Sequence, residues 1–457
     1  MSHGNARRTP AIGRRLPWIR CALGPALALL LAGPGVAWAD ELAVAHSDFG
    51  TVRLAPAIQE APALAPDPDE PGSELRVWLV TIGPGTAIWE RFGHNAIRVV
   101  DTRTGYDASY NWGIFDFNQA DFIPRFLRGE MLYMMAPFAS EPMIEMYRSA
   151  GREVVQQELA LSPAERLELR DFAERNALPG NREYFYDYFL DNCSTRVRDL
   201  LDIVLGGALF EQFGSAATGT SYRDHTRRLT RPDPLLFTGM DILLGTPGDR
   251  PITVWAEMFI PMTVRDALRE VYVEDGQGNL GPLVISEEVL AEARAPDEPE
   301  RAPRWWPWYL LLGLLGGTGL VSIGRSAASG SRGGRVALAV AGMAWSFAAG
   351  LSGLILVLVL FTDHRFMIWN ENMFLLNPIS LGLAVLIPLA IARPALRPYA
   401  SGLAMIVALL GFVGVLVGLL PFAIQENAME TVLVLPVHLG LWAGIKAFAL
   451  ASPVGAR

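Results

Sequence analysis

Two residues of this chain have the type and setting for nucleophilic chemistry, Cys193 and His94. Cys193 lies in "YFYDYFLDNCSTRVRDLLDIVLGG", residues 184–207. Beyond it, Val197, Leu200, Leu201, Val204 and Leu205 repeat at the spacing of an amphipathic helix. Asp191 or Asn192 can cap that helix, and Gly206-Gly207 can stop it. Cys193 is therefore expected in the first helical turn, where unpaired N–H groups and the helix dipole favour an anion and lower a thiol pKa. A thiolate nucleophile needs a general base, normally histidine. His46 falls in a linker, His364 in a loop between apolar spans and His438 inside a span, while His225, in "TSYRDHTRR", has no expected element to fix it. His94 stands at the mouth of a strand in "ERFGHNAIRVV", after Gly93, which permits close backbone approach. Spacing alone leaves open an inert, buried Cys193 beside a structural histidine.

The elements that must position this pair are legible nearby. "LRVWLVTI" (75–82) reads as a strand ended by Gly83-Pro84-Gly85. "HNAIRVVD" and "GYDASYNWG" read as two strands joined at Thr104-Gly105, and "REVVQQELAL" as another. Ser162, Pro163 and Glu165 open a helix through a capping box, and it should stop before Pro179-Gly180. Residues 73–285 then form one exported domain, flanked by a Pro/Ala-rich linker at 40–72 and an acidic linker at 286–304.

The ends of the chain assign the compartment. Residues 1–39 read as a signal peptide: a basic start, the apolar run "CALGPALALLLAG" and an A-x-A site at Ala37-Trp38-Ala39. Cleavage there removes Cys21 and leaves Cys193 as the one thiol. Residues 305–457 carry five apolar spans, at about 305–323, 336–361, 376–393, 401–424 and 431–450, each near the ~20 residues that cross a bilayer. Arg325, Arg332, Arg335, Arg393 and Arg397 flank the first and third loops, which the positive-inside rule puts in the cytoplasm. The "QENAMET" loop and the polar loop 362–378, "TDHRFMIWNENMFLLNP", then face outward. The latter suits either a solvated loop or a surface meeting lipid headgroups or the exported domain. Trp305, Trp306, Trp308 and Tyr309 suit the outer interface.

Composition narrows the classes further. Of 457 residues, 51% are hydrophobic and 19% charged, which excludes a disordered polar chain and an ordinary soluble enzyme. A net charge of -9 gives no basic excess for nucleic acid. The scattered histidines show no metal-ligand spacing, and no cofactor is implied.

"FGHNAIRV", "YNWGIFDF", "YDYFLDNCSTRVRDLLD" and "DHRFMIWNENMFLLNP" together resemble the Lnb family, of the lipoprotein intramolecular transacylase type, over roughly residues 75–457. The resemblance implies an α+β exported domain similar to permuted papain-like (NlpC-related) domains, followed by an all-α five-helix transmembrane domain in the inner membrane. It implies Cys193 as nucleophile, His94 as base and, on the next strand, Asn111 as the orienting group, with Tyr110 and Ser109 as alternatives because register is uncertain by one residue. Tyr186, six residues before the cysteine-adjacent Asn192, stands where such acyltransferases keep an oxyanion-binding tyrosine; Asn192 and Asn95 are further substrate or oxyanion candidates, beside the Cys193 backbone N–H. The implied reaction moves an ester-linked acyl chain of a diacylglyceryl lipoprotein or related membrane lipid to an amine through a Cys thioester. A cysteine amidase or peptidase acting on cell-wall peptides, and a non-enzymatic envelope-binding module, remain the alternatives. Glu257 is a cleft candidate without a role.

Overall fold

The computed structural model describes residues 70–116, 119, 121–274, 279–294 and 300–451. The expected signal and nearly all of the first linker lie outside these residues.

The exported part is built on a seven-stranded antiparallel sheet. Its first six strands are β1 (Leu75–Ile82), β2 (His94–Asp101), β3 (Tyr106–Ile114), β4 (Leu132–Ala139), β5 (Val154–Leu159) and β6 (Glu183–Phe185). Two short pairs follow, β7 (Ala217–Ser221) with β8 (Pro251–Thr253) and β9 (Tyr272–Glu274) with β10 (Leu280–Pro282). The last strand, β11 (Val284–Ala291), returns to the sheet edge, giving the order β11-β5-β1-β2-β3-β4-β6. The acidic linker expected from residue 286 therefore begins as a strand. Its acids are edge-strand residues: Glu287 accepts from Gln157 and Arg269, and Glu288 from Gln156. Charged side chains are a normal feature of a strand with one unpaired side.

The helices of this part are α1 (Phe122–Arg128), α2 (Ser140–Ser149), α3 (Pro163–Ala177), α4 (Cys193–Val204), α5 (Ala208–Phe213), α6 (Tyr222–Thr230), α7 (Pro234–Leu243), α8 (Val254–Glu257) and α9 (Pro261–Leu268). Strand alternation divides them between two faces. Leu75, Val77 and Leu79 of β1, Ile97 and Val99 of β2, and Tyr110 and Trp112 of β3 pack on α3, α4 and α9. Val80, Ile82 and Ala96 turn the other way, onto Met143 and Ile144 of α2. α3 begins at the expected capping box, with Ser162 Oγ accepting from Glu165 N at 3.3 Å and Glu165 Oε2 accepting from Ser162 N at 2.6 Å.

Among the described residues, four helices are long and apolar enough to cross a membrane: α10 (Trp306–Ala328), α11 (Arg332–Val359), Pro394–Val417, whose α-helical part is α13 (Arg397–Val417), and α14 (Ala428–Leu450). The third expected span, 376–393, is helical only over Ser380–Ala392, here α12. Its 13 residues rise about 20 Å, short of the ~30 Å hydrocarbon core. Proline explains the shortening: Pro378 precedes the helix start, Pro388 interrupts its ladder and Pro394 follows its end. α10 and α14 pack through glycine. A Cβ on Gly317 would lie 2.4 Å from Pro436 O, and one on Gly324 2.3 Å from Gly444 Cα. Only hydrogen at these positions allows the two backbones to come so close.

The exported part and the membrane helices are joined by polar contacts. Loop 362–378 docks on the exported domain: Asp363 N donates to Arg128 O at 2.8 Å, Asn370 Nδ2 donates to Ile242 O and Leu243 O, and Thr246 Oγ1 donates to Trp369 O. Arg227 donates to the Glu426 carboxylate at 2.9 Å, so the basic-free loop after α13 lies on the same side. Beneath these contacts is a buried charge cluster. Arg223, fully buried, binds Asp241 at 2.8 Å and Asp249 at 2.7 Å, and Arg227 shares Asp241 at 2.8 Å.

Removing a partner from such a cluster leaves buried charge uncompensated. Asp241→Ala should lower unfolding stability by about 3–5 kcal/mol, whereas Glu426→Ala, at an exposed carboxylate, should cost under about 1 kcal/mol. Thermal unfolding in detergent reads both, and equal midpoints for the two variants would contradict the assignment.

Candidate active site

The start of β2 meets the start of α4 through Asn95, whose side chain bonds Ser194 and whose backbone N–H faces Cys193, where the sheet opens. The β2–β3 ladder ends at Ala96↔Asn111, and β3 then shifts register between Asn111 and Ile114. Gly113, inside this irregularity, has φ 84, a left-handed value that glycine adopts without strain. Its missing side chain leaves room: a Cβ there would lie 3.4 Å from Cys193 Cβ and 3.5 Å from Tyr186 Cε2.

Cys193 begins α4, as its spacing predicts, with Asn192 as the N-cap. Asn192 Oδ1 accepts from Ser194 N at 2.8 Å and Thr195 N at 2.9 Å, while its Nδ2 donates to Tyr188 O and Phe259 O. All its hydrogen-bonding capacity is thus used by the cap, and its side chain has none left for a substrate. Asn95 is similar. Its Oδ1 accepts from Thr81 Oγ1 at 3.0 Å, and its Nδ2 donates to Ser194 Oγ at 3.1 Å and Pro261 O at 3.3 Å. These bonds tie the residue after His94 to the residue after Cys193. What Asn95 offers the site is its backbone N–H, which faces the Cys193 sulfur together with the N–H groups of Cys193 and Ser194.

His94 approaches from the α2 face. Its Nε2 is 2.9 Å from Asn111 Oδ1. The Asn111 amide is fixed in turn, its Nδ2 donating to Ser109 O at 2.8 Å and approaching Met143 Sδ at 3.4 Å. With Oδ1 held toward the ring, Nε2 must carry the proton and Nδ1 keeps its lone pair. Of the three residues that register left open, Asn111 is therefore the one that touches His94. Tyr110 turns into the opposite core, and Ser109 bonds Ser140 Oγ at 2.9 Å.

The electrostatics depart from the sequence expectation. Burial pushes the Cys193 thiol up to about 11, despite the three N–H groups and the charge of Arg152. The helix N-terminus was expected to lower it; desolvation outweighs the dipole once the sulfur is covered. Burial likewise lowers His94 to about 4, against the Asn111 hydrogen bond and with the help of Arg152. At neutral pH both groups are uncharged.

Two site residues escaped sequence reading. Arg152 is 5% exposed, donates to Gly83 O at 2.9 Å, lies 3.5 Å from Glu90 and stacks over Tyr147 at 4.9 Å. Among the described residues its buried Nη2 has no hydrogen-bond partner. The Tyr147 ring lies 6.4 Å from that of His94, and its phenol is raised by burial with a contribution from Cys193. A lone arginine before a strand carries no sequence signal for this placement. Tyr186 follows β6, stacks on Tyr133 at 4.3 Å, and is held well above the usual phenol range by burial. His225 is not in a loop: it sits on α6, capped by Ser221 and Asp224, and its partners are Glu257 at 2.7 Å and Thr220 at 2.9 Å. The S-x-x-D pattern at 221–224 was the signal that could have found this helix.

If Arg152 acts by charge, Arg152→Gln should raise the thiol and imidazole pKa together, because it removes a cation that favours thiolate and opposes imidazolium. A loosened, wetter site would instead lower the thiol and raise the imidazole. Iodoacetamide alkylation against pH and NMR titration of His94 separate the two, with slower alkylation near pH 8 expected in the variant.

Comparison with known families adds a finding independent of this geometry. The Lnb N-terminal periplasmic domain matches residues 70–228, and the Lnb transmembrane domain matches residues 332–446. No curated protein and no solved structure matches the chain. The two domains occur in the expected order and together span more than half of the 457 residues, so the chain belongs to the Lnb-type family, whose domains are those of a membrane-anchored periplasmic lipoprotein-modifying enzyme.

Proposed function

We propose that this protein is a thiol-dependent acyltransferase of the periplasmic face of the inner membrane. It takes an ester-linked acyl chain from a diacylglyceryl lipoprotein and transfers it to the α-amino group of that lipoprotein's N-terminal cysteine. The observation that carries the reading is the His94–Asn111 hydrogen bond, 2.9 Å long, on an amide whose own orientation is fixed. It leaves the imidazole lone pair on Nδ1, beside the helix start that bears Cys193. The strand-then-helix order of His94 and Cys193 supports a permuted papain-like domain, and the short apolar α12 supports a five-helix membrane domain, with four complete spans and one broken by proline.

The chemistry follows from neutral partners. As the Cys193 sulfur attacks the ester carbonyl, its proton passes to His94 Nδ1. The N–H groups of Asn95, Cys193 and Ser194 are available to the negative charge that forms, and the Tyr186 phenol, kept protonated by burial, is a further donor. Collapse breaks the C–O bond, His94 returns the proton to the departing alkoxide, and a thioester remains. The amine then attacks the thioester, gives its proton to His94, and the thiol is released with that proton. The product is an N-acyl, lyso-type lipoprotein. Donor and acceptor on one molecule give a high effective concentration, which favours aminolysis over hydrolysis.

Cys193→Ala should abolish N-acylation, and His94→Ala should reduce it by about 10²–10⁴. Asn111→Ala should have a smaller effect, because the ring remains but its tautomer is no longer held. Mass spectrometry of lipoprotein N-termini after incubation with the membrane-embedded protein reads each variant. Full N-acylation by Cys193→Ala would end the proposal.

A further inference from the structure

An apolar surface runs from the membrane boundary to the thiol. α1 exposes Ile123 at 61% and Leu127 at 63%, and Phe126 is also exposed. Across from it, the turn Ile88–Glu90 exposes Ile88 and Trp89. Large exposed apolar groups gathered on one side of a domain mark a contact surface. What covers this one is indicated by its neighbour. α11 ends at Val359, and the chain leaving it touches α1 within a few residues. Asp363 N donates to Arg128 O at 2.8 Å, and His364 Nε2 donates to Phe126 O at 2.9 Å. Phe361, between the helix end and these contacts, is 82% exposed. α1 therefore sits at the level where a membrane-spanning helix emerges, where aromatic and apolar side chains are at home. Its last turn carries Arg125 and Arg128, a charge suited to anionic headgroups.

From this surface the aromatic side chains lead inward. Phe126 and Phe122 are 6.4 Å apart between ring centres, Phe122 and Phe115 6.4 Å, and Phe115 and Tyr133 5.2 Å. Tyr133 stacks on Tyr186, which flanks the space at Gly113 beside Cys193. We propose that α1 and the turn at Ile88–Glu90 dip into the outer leaflet, and that an acyl chain of a membrane lipid reaches Cys193 along Phe126, Phe122, Phe115, Tyr133 and Tyr186. This rests on the acyltransfer reading for what happens at the sulfur, but the membrane contact stands independently of it. An acyl chain withdrawn from a bilayer into water meets a barrier that grows with every CH₂ exposed. A continuous apolar wall from lipid to thiol removes that barrier.

The test uses the full chain in nanodiscs of phosphatidylethanolamine and phosphatidylglycerol, part of which carry mid-chain bromine. With both native cysteines replaced by serine, Ile123→Cys carries a bimane label. Tyr106→Cys, the first residue of β3, paired with Asp101 at the end of β2 away from His94, carries the same label as reference. Strong quenching of the first and little of the second is expected; equal quenching overturns the membrane contact, whatever the enzyme does. In the native-cysteine chain, with an amine-blocked diacylglyceryl-cysteine peptide included in the nanodiscs as acyl donor, the double variant Ile123→Asp, Leu127→Asp should cut acylation of Cys193 at least about tenfold, as withdrawing two large apolar side chains from lipid implies. Iodoacetamide should still alkylate Cys193 at the unaltered rate. Quenching with undiminished acylation overturns the route. Quenching in a chain whose Cys193 never becomes acylated keeps the membrane contact and rejects the acyltransfer reading instead.

Discussion

A sheet separates the groups on its two faces, and this site exists because the sheet stops doing so at one place. His94 and Asn111 belong to the α2 face, and Cys193 to the α4 face. A fully paired β2–β3 ladder would put backbone between them. The end of pairing at Ala96↔Asn111 and the left-handed Gly113 open that position, and the start of α4 approaches it, with Cys193 Cβ 3.4 Å from where a Gly113 side chain would begin. The backbone N–H of Asn95, just past the last ladder pair, then has the sulfur to face instead of a carbonyl. The same irregularity therefore supplies access, space and a donor. Substituting a side chain at residue 113 would affect all three, through positive-φ strain and through crowding of the nucleophile.

Burial gives this arrangement its chemical character. A thiol near 11 and an imidazole near 4 do not exchange a proton in the resting state. In the proposed reaction proton transfer has to accompany attack on the carbonyl, and the neutral resting thiol is a poor target for adventitious electrophiles. The donors around the sulfur are most useful when charge forms, which is the condition for stabilising a transition state more than the ground state. Arg152 shares in this: its field favours the thiolate and opposes the imidazolium, so it biases the pair toward a free base and an ionisable nucleophile.

Much of this was legible in the sequence, for identifiable reasons. β1 and α4 are legible through their local period, and α3 through the capping box of Ser162 and Glu165; of the two cap candidates before α4, Asn192 is the one that caps. Asn111 was legible only through the family resemblance, since strand period alone leaves a one-residue ambiguity. β11 was taken for linker because an edge strand rich in glutamate has the composition of a solvated segment; its pairing with β5 is a long-range fact no local window holds. α6 was missed because its face is polar and buried, filled by Arg223 and Arg227 rather than by aliphatic residues. Arg152 and Tyr147 reach the site only through the tertiary fold. The third apolar run is the weakest of the five already in the sequence, because Pro378 and Pro388 interrupt it, and its helix is limited to Ser380–Ala392.

The junction between the two domains completes the argument. An enzyme acting on molecules held in a bilayer needs its cleft at a fixed height and direction, and a flexible tether would not supply that. The buried cluster of Arg223, Arg227, Asp241 and Asp249 lies within the exported part and reaches the membrane part through Glu426, whose carboxylate accepts from Arg227 and whose backbone N–H donates to Asp249; it is an expensive anchor, because each buried ion has been taken out of water. Its geometric demands are strict, since a guanidinium shared by two carboxylates tolerates little displacement. Loop 362–378 adds hydrogen bonds at several separated points, from Arg128 near α1 to Leu243 at the end of α7. Contacts spread in this way resist rotation as well as separation. They hold α1 beside the emerging end of α11, the arrangement that the proposed lipid route to Cys193 requires.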